Sequence, residues 1–182
     1  MRGWSSIQDT SVDIKRRYAI MFNFLKKKNS NLRTLGAPCA GKAIQLKDVS
    51  DPTFAQEMLG KGVAVIPSEG KIYAPCDGKV TMLFNTLHAV SVVPDYGAEI
   101  LIHVGIDTVN MKGDGFEAHV QVDDEVKKGD LLLTVDLDKV KAAGYDTATM
   151  MVVCNTAEYA SVTTDAPKDV KAGDDVLTIE TK

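Results

Sequence analysis

The sequence has few aromatic residues, few cysteines and no long hydrophobic run. Aromatic side chains make up 6% of its 182 residues, so a core has to be built mainly from aliphatic side chains. No segment approaches the roughly 20 consecutive apolar residues of a membrane-spanning helix. Cys39, Cys76 and Cys154 are odd in number and widely spaced, which is typical neither of a disulfide framework nor of a CxxC zinc motif. We therefore expect a cytoplasmic protein with reduced thiols.

Positive charge is scarce outside the N-terminal segment. Residues 1–35 carry eight lysines and arginines against two aspartates, a net charge of +6, whereas the remainder carries thirteen bases against 23 acids, a net charge of −10. An acidic body disfavours nucleic acid as the main partner and favours basic proteins, which it attracts over long distances.

The basic segment differs in kind from the rest of the chain. We predict a flexible N-terminal extension over residues 1–35 and a folded domain over residues 36–182. Met21 resembles a second start, and Phe22, Phe24 and Leu25 lie beside three lysines. Such a cluster could make a peripheral contact with an anionic membrane surface, although a solvated tail is the simpler interpretation.

Helical periodicity is also rare in the domain, where short β-branched segments bounded by glycine, proline and aspartate predominate. We predict strands over residues 63–66, 79–84, 90–93, 100–104, 131–135 and 150–154. Only two short helices are expected, over residues 53–59 with Asp51 as N-cap and over residues 137–143 with Asp136 as N-cap. This pattern predicts an all-β fold, a flattened antiparallel sandwich or barrel.

Two short motifs occur twice each. Ala37-Pro38-Cys39-Ala40-Gly41-Lys42 recurs as Ala74-Pro75-Cys76-Asp77-Gly78-Lys79, and Val126-Lys127-Lys128-Gly129-Asp130 recurs as Val170-Lys171-Ala172-Gly173-Asp174. The first motif is expected to open a strand and the second to form a tight turn. Similar turns can arise by chance, but two repeated pairs favour duplicated β units.

Histidine is scarce too, and two of the three histidines are predicted to meet. His88 and His103 lie on neighbouring predicted strands, on either side of the turn signal Pro94-Asp95-Tyr96-Gly97. If Pro94 and Gly97 close the hairpin, His88 pairs directly with His103, with Cβ atoms about 4.5–5.5 Å apart. His119 has no comparable partner, and we interpret it as structural.

Two adjacent imidazoles can act as a nucleophile and a proton donor near neutral pH, or as metal ligands. A catalytic zinc site needs a third protein ligand, which the nearby sequence does not supply. The domain also lacks the glycine-rich P-loop that binds nucleotide phosphates.

At these residues the sequence resembles the glucose-type enzyme IIA family of the bacterial phosphoenolpyruvate:sugar phosphotransferase system. The resemblance extends from about residue 35 to about residue 179. Its most specific stretches are Thr86-Leu87-His88-Ala89, His103-Val104-Gly105-Ile106-Asp107-Thr108-Val109 and Lys112-Gly113-Asp114-Gly115-Phe116. Leu87 stands where asparagine is common in the family.

The resemblance implies a phosphotransferase with a phosphohistidine intermediate and no required cofactor. His103 would accept the phosphoryl group, His88 would stabilise it, and Thr86 would orient His88. The phosphoryl group would arrive from the phosphocarrier HPr and leave for the enzyme IIB domain of a sugar permease. The histidine pair could also capture zinc at a partner interface.

The resemblance further implies a docking face around the histidines. It consists of five apolar residues and two acids: Phe54, Leu59, Phe84, Val90, Leu101, Asp51 and Asp107. The apolar residues would contact HPr or enzyme IIB, and the acids would pair with arginines of a partner. Core burial is an equally good interpretation of Val90 and Leu101.

Three other functions remain open at this point. One is a regulatory, protein-binding member of the same family without transfer activity. Another is a biotinyl or lipoyl carrier with Lys112 as the modified residue, although that lysine belongs on a hairpin before an Ala-Pro-x-x-Gly strand. The third is a zinc hydrolase on a similar scaffold.

Overall fold

The computed structural model of the protein describes residues 31–182. Its first strand, β1 (Leu32–Gly36), pairs with the strand nearest the C-terminus. Leu35 is fully buried, so the predicted domain boundary at residue 36 is a few residues late. The expectations for residues 1–30, including the start at Met21 and the membrane contact, concern a segment outside the described residues.

The described chain folds almost entirely into short antiparallel strands, as predicted. Two of the predicted strands, 100–104 and 131–135, have the observed bounds, and the others differ by one or two residues at one or both ends. After β1, the strands are β2 (Gly41–Gln45), β3 (Lys61–Pro67), β4 (Lys71–Tyr73), β5 (Gly78–Leu83), β6 (Ala89–Val93), β7 (Ile100–Val104), β8 (Phe116–Ala118), β9 (Glu125–Val126), β10 (Leu131–Val135), β11 (Thr149–Val153), β12 (Ser161–Thr164), β13 (Lys168–Val170) and β14 (Asp175–Glu180).

The strand order has an internal two-fold symmetry. In the described residues, one sheet of eight strands has the order β13-β2-β3-β11-β7-β6-β5-β9, and two sheets of three strands have the orders β1-β14-β12 and β4-β10-β8. Exchanging β1 with β4, β2 with β5 and β3 with β6, and the later strands likewise, reproduces the same arrangement. The expected antiparallel sandwich of duplicated units is therefore confirmed.

The repeated motifs form the contacts that relate the two units. Gly173 donates its backbone N–H to Ala37, and Gly129 donates to Ala74, in both cases over 2.9 Å. Each of these glycines has a positive φ, as the turn requires. The aspartate after each glycine accepts a hydrogen bond from a lysine N–H three residues earlier. The sequence repeat thus reflects a repeated backbone structure.

Two short α-helices connect strands in the described residues. Helix α1 (Pro52–Ala55) is capped by Asp51, whose side chain accepts from the N–H of Thr53, and helix α2 (Leu137–Ala142) is capped by Asp136. Helix α1 is shorter than the predicted 53–59, because Glu57 takes a positive φ and the chain continues as a turn. None of the helices in residues 31–182 has the length and apolarity needed to cross a membrane.

The large sheet has a core on each face. The inner core fills the space between the sheets with aliphatic side chains such as Ile102 and Leu133. A smaller outer core lies under α1, where Phe54 packs with Met150 and Val152. Alternate residues of β7 point to opposite faces of the sheet, so this strand contributes to both cores. His103 lies on the outer face.

Candidate functional site

His103 lies near the end of β7, with its ring on the face that α1 covers. Its Nδ1–H donates to the backbone carbonyl of Gly105 over 2.9 Å. A carbonyl oxygen can only accept, so this contact places the proton of the neutral ring on Nδ1. The lone pair is then on Nε2, which makes Nε2 the nucleophilic atom.

Only glycine fits at position 105. Its φ is +75°, a conformation that side chains disfavour. A Cβ atom there would lie 2.4 Å from the methyl group of Thr108 and 2.8 Å from the carbonyl oxygen of Asp146. The carbonyl that orients His103 therefore belongs to a tightly enclosed peptide.

His88 lies beside His103, and the centroids of the two rings are 4.9 Å apart with the planes inclined at 80°. The Thr86 hydroxyl lies 2.6 Å from Nδ1 of His88. When this hydroxyl donates to Nδ1, the ring proton is on Nε2, and His88 offers an N–H donor. The expected grouping of His88, His103 and Thr86 is thus present in the structure.

The predicted strand register is wrong by one residue. Ala89, not His88, pairs with His103. The Pro94–Gly97 turn forms as predicted, with a 3.0 Å hydrogen bond, but Ala98 and Glu99 lie between it and β7, and the pairing is offset by one residue from the predicted one. A slip of one residue would normally place the histidines on opposite faces of the sheet.

The two rings nevertheless meet, because His88 precedes β6 and lies outside the regular pleat. Leu87 has a φ of +54°, and its N–H donates to the carbonyl of Phe84 in a tight turn. Asparagine adopts this conformation more readily than leucine does. The turn therefore places leucine in a conformation that asparagine would adopt at a lower cost.

Both imidazoles are held in the neutral form. The pKa of His103 is lowered to about 4, chiefly by burial and secondly by the neighbouring His88, whereas the Gly105 carbonyl, Asp51 and Asp107 act in the opposite direction. Burial also lowers the pKa of His88. At neutral pH, His103 is therefore an uncharged nucleophile.

Aromatic rings enclose the histidine pair from two sides. The ring of Phe54 lies 5.1 Å from that of His103, and the ring of Phe84 lies 5.1 Å from that of His88. Phe54 is 4% exposed and Phe84 is 40% exposed. The first ring is a buried wall of the site, and the second belongs to its open rim.

Two of the five apolar residues predicted for the docking face are buried. Val90 is fully buried in the inner core and Phe54 is largely buried in the outer one, so both side chains pack inside the protein instead of forming a docking surface. Alternation along β6 turns Val90 inward, and α1 presses Phe54 onto the sheet. Leu101 is partly buried against the outer core, whereas Leu59 is exposed.

The two predicted acids have different surroundings. Asp51 is partly buried and caps α1, whereas Asp107 is exposed with a φ of +60°. Both act electrostatically on His103, since each raises its pKa. The structure therefore brings both carboxylates close to the histidine pair.

The remaining predictions concern metals and other polar residues. In residues 31–182, no group of three or more histidines, cysteines, aspartates and glutamates is arranged to hold a metal ion. His119 lies apart from the pair and contacts the Thr134 hydroxyl over 3.1 Å. All three cysteines are free thiols.

Several contributors to the site were not identified from the sequence. They are the carbonyl of Gly105 and the enclosing contacts of Thr108 and Asp146. The glycine two residues after His103 was the available signal, because glycine often marks a place where backbone approaches another group closely.

Comparisons with known proteins agree on one family. The model of the family described as "phosphoenolpyruvate-dependent sugar phosphotransferase system, EIIA 1" matches residues 33–159. A glucose-specific EIIA component of Halalkalibacterium halodurans is 45% identical over 141 residues, which cover 78% of this chain and 82% of that protein. A beta-glucoside-specific EIIBCA component of Dickeya chrysanthemi is 49% identical over 129 residues, 71% of this chain. The chain spans only 20% of that longer relative.

A solved structure shows the same fold. The glucose permease IIA of Mycoplasma capricolum matches with a TM-score of 0.74 and 36% identity, and the match covers 81% of this chain and 95% of that one.

Proposed function

Because this chain belongs to the EIIA 1 family of the phosphoenolpyruvate-dependent sugar phosphotransferase system, and is thereby a phosphocarrier of that system, we propose that His103 carries the phosphoryl group on Nε2. One observation supports this assignment above all. The Gly105 carbonyl occupies Nδ1, and burial keeps the ring neutral, so Nε2 has a free lone pair at physiological pH.

Transfer consists of two successive nucleophilic displacements at phosphorus, one in which His103 is the nucleophile and one in which it is the leaving group. In the first, Nε2 of His103 attacks the phosphorus of phospho-HPr, so a new N–P bond forms while the donor N–P bond breaks and HPr leaves with the electron pair. In the second, a cysteine thiolate of an enzyme IIB domain attacks the same phosphorus, and Nε2 recovers its lone pair. Nδ1 keeps its proton throughout both steps.

His88 stabilises the phosphoryl oxygens during these steps. Its ring is 4.9 Å from that of His103, and Thr86 orients it so that Nε2–H can donate to an equatorial oxygen. Because His88 is neutral, it stabilises the phosphoryl group without holding it as strongly as a fixed cation would. Such moderate binding suits a group that must leave again.

The partners are recognised by the rim of the site. Leu59 and Phe84 expose apolar surface, and Asp107 adds a carboxylate that can pair with an arginine. The acidic body steers a basic donor such as HPr towards this rim. The EIIBCA name of the Dickeya relative supports a permease IIB domain as the acceptor.

No cofactor takes part in this transfer. A zinc ion could bind Nε2 of His103 directly, and Nε2 of His88 once the His88 proton moves to Nδ1, where the Thr86 hydroxyl can accept its hydrogen bond. Two ligands do not complete a protein zinc site, so a docked partner would have to supply the others.

The test is intact mass after incubation with phosphoenolpyruvate, enzyme I and HPr, with alkaline handling because phosphohistidine is labile in acid. We expect the gain of one phosphoryl group, its loss in acid, and no gain for His103→Gln. His119→Gln is the matched control and should behave like the wild type. Phosphorylation of His103→Gln would refute the assignment. No gain in the wild type with an active donor would favour a regulatory protein that binds partners without transfer.

A further inference from the structure

The backbone immediately after His103 is hydrogen-bonded on both sides of two consecutive peptide units. In the first unit, the carbonyl of Val104 accepts from the Thr108 hydroxyl over 2.5 Å. The N–H of the same unit, which belongs to Gly105, donates to the carbonyl of Ala148 over 2.9 Å. This peptide therefore has a fixed orientation.

The second unit is the one that contacts the imidazole. Its carbonyl, that of Gly105, accepts from Nδ1 of His103 over 2.9 Å. Its N–H, that of Ile106, points the opposite way and donates to the carbonyl of Asp146 over 3.0 Å. Rotation of this peptide away from the imidazole would break both bonds.

Asp146 also shapes the turn that presents these acceptors. Its Oδ1 accepts from the N–H of Ala148 over 2.8 Å, a local side-chain turn. That turn places the carbonyls of Asp146 and Ala148 opposite the two peptide units. The side-chain oxygens of Thr108 and Asp146 bond to backbone groups and not to the imidazole ring.

Packing prevents the arrangement from relaxing. Thr108 is fully buried, and its methyl group lies only 2.4 Å from where a Cβ of residue 105 would be. A buried hydroxyl with a partner is costly to replace by a group that leaves the Val104 carbonyl unpaired. Neither peptide unit can therefore turn without disturbing Thr108.

We propose that Thr108 and Asp146 are positioning residues that hold the Gly105 carbonyl against His103 and thereby fix the ring tautomer that leaves Nε2 free. The proposal rests on the proposed role of His103 as phosphoryl acceptor. Neither residue touches the phosphoryl group, so their effect on transfer passes through the tautomer alone.

Two matched pairs of variants test the proposal. Thr108→Val removes the hydroxyl and keeps the shape, while Thr108→Ser keeps the hydroxyl. Asp146→Ala removes the side-chain acceptor, while Asp146→Asn keeps it. The ring nitrogen chemical shifts of His103 in the unphosphorylated, 15N-labelled protein at pH 7 report which nitrogen carries the proton, independently of any transfer.

We expect the proton on Nδ1 in the wild type, Thr108→Ser and Asp146→Asn, and a measurable fraction on Nε2 in Thr108→Val and Asp146→Ala. The rate of phosphoryl acceptance should fall about threefold to tenfold in the latter two, as the loss of one hydrogen bond implies. If Thr108→Val does not fold, Thr108→Ala tests the same loss of the hydroxyl.

Folded Val and Ala variants that keep the wild-type tautomer would overturn the proposal. That result would leave the proposed function intact, since it is tested separately by acceptance in the wild type and its loss in His103→Gln.

Discussion

The two duplicated units are alike in backbone and unlike in chemistry. Both have an Ala-Pro turn that leads into a strand, and both receive a hydrogen bond from the glycine of a lysine-glycine-aspartate or alanine-glycine-aspartate turn. The corresponding connections differ, however. Residues 46–60 join β2 to β3 and include α1, whereas residues 84–88 join β5 to β6 in a tight turn.

The unequal connections make the surroundings of His103 asymmetric, although the strands are related by symmetry. The long connection folds over the outer face and brings Phe54 against His103. The short connection holds Thr86 and His88 beside the same residue. Strand β7 lies between them at the centre of the sheet, so one imidazole receives contributions from two unequal loops. The strand supplies His103 in a rigid position, and the two loops supply the groups around its ring.

The largest effect on the transfer rate should come from removing the His88 imidazole, which the short connection supplies. His88→Gln should leave acceptance from HPr at least partly intact but slow onward transfer to enzyme IIB by roughly 10²–10³-fold, the usual effect of losing a transition-state donor. Rapid-quench measurement of each step separates the two, with His119→Gln as control. Normal rates in both steps would show that the pairing of the two rings has no mechanistic role.

A smaller effect concerns stability and pH. Unfolded His103 titrates near 6.5 and the folded residue near 4, so between these values the unfolded state binds a proton that the folded state does not. The contribution of His103 is therefore fully favourable above about pH 6.5 and is lost as the pH falls towards 4, by an amount on the order of 3 kcal/mol.

Urea unfolding of wild type and His103→Gln between pH 4.5 and 8 measures this contribution. The difference between the two free energies of unfolding should change with pH below about 6.5 and stay level above it. A flat difference would mean that the site does not suppress protonation of His103.

The smallest effect should be the same in both units. Gly129 and Gly173 have φ values of +93° and +85°, and a Cβ at either would meet no atom within 4 Å. Each Gly→Ala substitution should therefore cost only backbone strain, roughly 1–2 kcal/mol. Equal losses in urea unfolding with unchanged phosphoryl acceptance would support equivalent turns, and losses that differ by more than about 1 kcal/mol would contradict it.

Much of the fold could be predicted because it depends on local signals. The β-branched segments, the caps Asp51 and Asp136, and the repeated turns each identify an element with little help from distant residues. The register between β6 and β7 was harder, because the connection after the turn shifts the pairing by one residue and has no distinctive local pattern. The end of α1 was also missed, since the positive φ of Glu57 depends on the turn that the next residues form.

For the site, the histidine pair and Thr86 could be found from residue type, spacing and resemblance. The rim could not be predicted reliably, because the type of an apolar residue does not show whether its side chain faces the core or solvent. Val90 and Phe54 illustrate this, since both are apolar and both are buried. The contacts of Thr108 and Asp146 with the backbone around Gly105 depend on β7 and β11 lying side by side, a pairing between distant segments of the chain.

The central position of β7 has a consequence for the lifetime of the site. The strand is hydrogen-bonded to β6 on one side and to β11 on the other, and three or more strands lie beyond His103 in each direction. Amide protons in such a position exchange with solvent mainly through global unfolding. The residue proposed to hold the phosphoryl group is therefore in the slowest-opening part of the protein, so partners can dock and depart many times before that segment opens once.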